Sequence, residues 1–82
     1  MVPSKTLGER MLVDLLECHC LVEEEETENE RLYICTGDPD AIGDLFARAC
    51  VWLVNLEALG CFSPHWDLDH EEPGRLVISV FP

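Results

Sequence analysis

The apolar positions follow two rhythms along the chain. From residue 7 onward, Leu7, Met11, Leu12, Leu15, Leu16 and Cys18 recur three and four apart, the spacing that gathers side chains on one face of an α-helix. Thr6 followed three positions later by Glu9 is a capping-box pair, so the pattern predicts a first helix over residues 6–17. The period then drops to two. Cys18, Cys20 and Val22 alternate with His19, Leu21 and Glu23, and Leu32, Ile34 and Thr36 alternate with Arg31, Tyr33 and Cys35. With the polar residues 27–30 between them, these runs predict a β-hairpin. Glutamate is also a good helix former, so a first helix that continues through Glu26 stays open as the alternative.

The second half repeats the order with a stronger helix. Thr36-Gly37-Asp38-Pro39 ends the strand and opens a helix with Asp38 as N-cap, Pro39 at its first position, and Asp40 and Asp44 near the positive end of the helix dipole. Ile42, Leu45, Phe46, Ala49, Cys50, Leu53, Leu56 and Leu59 form its apolar stripe, and Gly60 is its stop. Val51, Trp52 and Val54 widen the stripe until the middle is apolar nearly all round. Such a helix is either covered on two sides within the fold or offers its second side to another chain. In the last segment Trp66, Leu68 and His70 alternate with His65, Asp67 and Asp69, residues 71–74 make a turn, and residues 75–81 place Leu76, Ile78 and Val80 on one face. The expected fold is α+β, a two-layer sandwich in the order α-β-β-α-β-β, with two helices on one face of an antiparallel four-stranded sheet. Two αββ halves suggest an old duplication, although their residues do not repeat convincingly.

Length and charge narrow this picture. A chain of 82 residues has room for one core and so for one domain, residues 1–82. Because 48% of the residues are apolar, the chain is expected to fold despite carrying 17 Asp and Glu against 5 Lys and Arg. The net charge of −12 argues against direct binding to DNA or RNA, since only Lys5, Arg10, Arg31, Arg48 and Arg75 are available to meet phosphates. Anionic membranes are disfavoured for the same reason. A surface this negative instead steers cationic partners toward it. Five cysteines, an odd count, with no signal-peptide pattern at the N-terminus read as reduced thiols of a cytoplasmic protein, most of them core fillers. The longest apolar uncharged run, residues 49–56, is far short of the roughly 20 residues of a membrane span, so the protein is expected to be soluble.

The candidate chemistry is acidic. Glu23, Glu24, Glu25, Glu26, Glu28 and Glu30 crowd the first hairpin, and on a strand same-face carboxylates two apart would stand about 6.6 Å from each other, comparable with successive phosphates of a nucleic-acid strand. Asp67, Asp69, Glu71 and Glu72 lie at the second hairpin, and Asp38, Asp40 and Asp44 at the start of the second helix. The bland reading of the first group is a solvated edge strand guarded by charge against edge-to-edge pairing. No segment has calcium-loop spacing. Cys18-His19-Cys20 lacks the two-to-four-residue spacing of structural zinc pairs, so no metal or other cofactor is expected. Neither a nucleophile with its base nor a glycine-rich phosphate loop is recognisable, so an enzyme is not expected.

In size, charge and lack of a catalytic motif the chain resembles small acidic α/β inhibitors encoded by phages, among them DNA mimics and anti-CRISPR proteins. The resemblance rests on composition and on no motif. It implies an inhibitor whose carboxylates, Glu23 to Glu30 with Asp67 to Glu72, occupy a basic groove that otherwise holds nucleic acid. The alternative is a small interaction or assembly module that binds a protein partner, or a second copy of itself, through the apolar side of the second helix and the final strand, with Trp52 and Trp66 as candidate anchors. Surface acidity serving solubility in high salt is a third option, which the many large apolar residues do not favour.

Overall fold

A computed structural model describes residues 5–60 and 65–81. Helix α1 spans Leu7–Glu17, strands β1 and β2 span Leu21–Glu26 and Arg31–Thr36, helix α2 spans Pro39–Ala58, and strands β3 and β4 span His65–Asp69 and Arg75–Phe81. The order and the α+β class are those expected. The glutamates of residues 23–26 lie in a strand, which decides against a first helix continued through Glu26. That strand begins only at Leu21: Cys18 is the helical C-cap of α1, so Cys18 and Cys20 do not share a strand face as their alternation suggested.

Each boundary has a local cause. Thr6 Oγ1 accepts the Glu9 backbone N–H at 3.1 Å, and the Asp38 carboxylate accepts those of Asp40 and Ala41 at 3.2 and 3.4 Å, so both helices start on side-chain caps. Past α2, Gly60 takes φ +73°, a left-handed conformation that costs a residue with a Cβ more than it costs glycine. The first hairpin turns on Thr27, whose hydroxyl oxygen accepts from Glu30 N at 3.1 Å while its backbone N–H donates to Glu30 O at 2.8 Å. At the other end of the sheet the Gly37 N–H donates to Gly74 O at 3.1 Å. A Cβ added to Gly74 would stand 3.0 Å from Gly37 O, so this close approach favours glycine.

The strand order is β1-β2-β4-β3 with every neighbouring pair antiparallel, as two αββ units give when they join through their second strands. Alternation divides the sheet into two faces. Tyr33, Cys35, Leu76, Ile78 and Val80 are buried and form one cluster with Leu12 and Leu16 of α1 and Ile42, Leu45, Ala49, Leu53 and Leu56 of α2. Both helices therefore cover the same face. Val22 on β1 and Trp66 and Leu68 on β3 extend this face to the edges as half-buried flanks. The opposite face is made by the intervening residues, of which Leu32, Ile34, Val77, Ser79 and Phe81 are only half-buried. No described helix crosses it. Neither helix is long and apolar enough to cross a membrane.

Candidate functional site

The ten acidic residues expected to form a binding surface are sorted by strand parity and do not gather in one place. Glu24 and Glu26 lie on the face of β1 that the helices cover, opposite Tyr33 and Arg31. Glu24 pairs with Lys5, and Glu26 receives the Arg31 guanidinium through Nε at 3.3 Å and Nη2 at 3.0 Å. Glu28 and Glu30 stand at the β1–β2 turn, whereas Glu71 and Glu72 stand at the β3–β4 turn at the far end of the sheet. There they border a small depression of about 50 Å³ with Asp69, Arg75 and Val77.

The remaining four carboxylates belong to the open face. The ladder register makes two rows across the sheet: Glu25, Leu32, Ser79 and Asp67 in one, and Glu23, Ile34, Val77 and Asp69 in the next. Each row has an acid on both edge strands and small or apolar side chains on the two central strands. With strands about 4.8 Å apart, carboxylates at opposite ends of a row are separated by roughly 14 Å of sheet, and those on one edge by about 7 Å along the strand. The stripe inside this frame continues to Phe81 at one end, and Leu21, 77% exposed, lies at the other. Glu23, Glu25, Asp67 and Asp69 are all exposed. The 5 Lys and Arg of the chain are too few to neutralise its 17 acids, so this frame keeps a net negative field.

Sequence reasoning missed the buried charged group found among the described residues. Glu9 is 1% exposed and its carboxylate receives Arg31 Nη1 at 2.6 Å and the Tyr33 hydroxyl, while Arg31, itself buried, also holds Glu26. Glu9 was legible only as a capping residue. The alternation that put Arg31 on one face with Tyr33 and Cys35 was the signal that this arginine needs a buried partner. Burial together with the neighbouring Glu9 carboxylate pushes the Tyr33 hydroxyl well above the ordinary phenol range. Burial pushes the Cys35 thiol up to about 12, helped by the adjacent Cys20, and Cys20 is itself raised by burial against an opposing hydrogen bond from Cys35. Both thiols are therefore held protonated at neutral pH, which makes them poor nucleophiles. Arg31 thereby ties α1, through Glu9, to β1, through Glu26, from its place on β2.

The two tryptophans also pack inward. Trp52 lies on the flank of α2 next to His19, ring centroids 6.0 Å apart, and Trp66 donates its indole N–H to Glu57 of α2. The outward side of α2 instead shows Val51 and Val54, 58% and 56% exposed. Among the described residues no group of three or more His, Cys, Asp or Glu is placed to hold a metal ion. Of the cysteines away from Cys18-His19-Cys20, Cys35 is buried in the core and Cys61 lies outside the described residues. Comparison with known proteins finds no matching protein family, no matching curated protein and no matching solved structure.

Proposed function

We propose that this protein is a non-enzymatic binding protein that lays the open face of its sheet on a basic protein surface, of the kind that otherwise holds nucleic acid, and so acts as a competitive inhibitor. The observation that carries this reading is the acid-framed stripe: Leu32, Ile34 and Val77 supply desolvation, and Glu23, Glu25, Asp67 and Asp69 supply steering and orientation. Neither feature alone serves as well. Exposed ion pairs contribute little durable affinity, and an apolar stripe without charge gives no preference among partners.

The test is capture of partners from lysate by the tagged chain at low salt and at about 0.5 M salt, where screening shortens to a few ångströms. A nucleic-acid-binding protein that is displaced by added DNA or RNA, and that a Glu23→Lys, Glu25→Lys double variant no longer captures, is the expected result. Capture unaffected by that double variant would remove the open face from the interaction. A second reading is favoured by the exposed Val51 and Val54: an assembly module, or a homodimer, that associates through the outer side of α2. Its signature is association that survives the salt wash and is lost on Val54→Asp, while the glutamate variants leave it intact.

A further inference from the structure

The two faces of the sheet have different apolar widths, and the difference specifies an occupant. On the covered face all four strands contribute, from Val22 on β1 to Trp66 and Leu68 on β3, and that width takes two helices. On the open face β3 contributes Asp67 and Asp69 in place of Trp66 and Leu68, and β1 adds only Leu21 at its end, beside Glu23 and Glu25, so the continuous apolar stripe lies on β2 and β4. Two central strands offer a stripe wide enough for a single helix. We infer that the open face is a docking site for one basic amphipathic α-helix of a partner protein, its apolar stripe along Leu32, Ile34 and Val77 and its Lys and Arg flanks on the two carboxylate edges. This rests on the binding reading given above and names the partner's recognition element.

The dimensions select a helix over other shapes. A helix with its side chains is about 10–12 Å across, so long basic residues on both flanks reach acids about 14 Å apart. An extended peptide, one strand wide, reaches one edge only. A second sheet laid face to face would cover the four carboxylates and bury them without partners, which is costly. A second copy of this chain brings a net charge of −12 and the same four carboxylates to the same surface, so like charges would face each other.

The probe is a synthetic peptide of about 18 residues, roughly 27 Å as a helix, with leucines at helical spacing and lysines on both flanks of the stripe. A scrambled peptide of identical composition is the control, and affinity for the whole chain is read by fluorescence anisotropy at low salt. The helical peptide is expected to bind at least about tenfold more tightly than the scrambled one, to gain helical circular dichroism on binding, and to shift the amide resonances of residues 32, 34, 77 and 79. Glu23→Gln with Glu25→Gln is expected to weaken it about fivefold without changing the thermal midpoint of the protein. Ile34→Lys, or Val77→Lys should the first not fold, is expected to abolish binding. Equal affinity for the two peptides, or no binding of either, overturns the helix as occupant. The sheet-face reading survives that failure if lysate capture still responds to the Glu23 and Glu25 variants, and falls only if capture does not. Resonance shifts confined to α2 would overturn both.

Discussion

Alternate residues of the same four strands build the two faces of this sheet, yet the faces do different work. Toward the helices, Tyr33, Cys35, Leu76, Ile78 and Val80 are fully buried, and the charges on this side are paired, Glu9 and Glu26 with Arg31 and Glu24 with Lys5. Away from the helices, Leu32, Ile34 and Val77 remain half-buried between rows of exposed carboxylates. The edge strands make the difference. Where β3 carries Trp66 and Leu68, and β1 carries Val22 with Glu24 and Glu26 neutralised by Lys5 and Arg31, the face closes over two helices. Where the edge strands carry Glu23, Glu25, Asp67 and Asp69 it stays open, and the same charges keep the edges from pairing with other sheets. One placement of acid thus protects the fold and shapes the candidate binding surface.

The contrast is broken most severely at the buried charges. Arg31→Met leaves Glu9 buried without its cation, and a loss of about 3–5 kcal/mol is expected, a large part of the stability of a domain this small. Urea denaturation measures it. The combined replacement Glu9→Leu, Arg31→Met and Tyr33→Phe removes the charge with its partner and is expected to recover most of that loss; failure to recover would mean that the group specifies the packing of α1 and is more than a satisfied pair.

Cavity formation sharpens the comparison next. Ile78→Ala on the covered face is expected to cost about 2–5 kcal/mol, whereas Ile34→Ala, one strand away on the open face, is expected to cost under about 1.5 kcal/mol. Equal costs would show that the open face is covered in solution. A pH dependence also arises on the covered face. The Cys35 thiol titrates near 9 in an unfolded chain and near 12 in the folded one. Between those values the unfolded state releases a proton that the folded state keeps, so this contribution is complete below pH 9 and is lost progressively as pH rises toward 12. Cys20 and Tyr33, both raised, act in the same direction. A Cys35→Ala variant is expected to show a shallower decline of the urea midpoint with alkaline pH than the parent chain.

Much of the fold was legible one residue at a time. Caps at Thr6 and Asp38, the stop at Gly60 and the period-two runs are local, and local rules governed the element order and class. The candidate site was legible only as a count of acids. Glu23 and Glu24 are neighbours of one chemical type, and nothing in their immediate sequence says that one faces an open stripe while the other reaches Lys5. The tryptophans were equally ambiguous, because helical spacing puts Trp52 on a flank whose neighbour is named only by how α1 and α2 pack.

What the sequence determined by itself, then, is whatever depends on spacing and composition along the chain: periodicity, capping and the narrow supply of positive charge. What only the tertiary structure decided is whatever depends on register between distant strands. That Glu25 shares a row with Leu32, Ser79 and Asp67, and that Glu9 reaches Arg31, follows from ladder bonds joining segments far apart in sequence. A slip of one residue in any ladder would turn that strand's alternate side chains to the other face, which is why a list of acidic residues becomes a surface only once the sheet has formed.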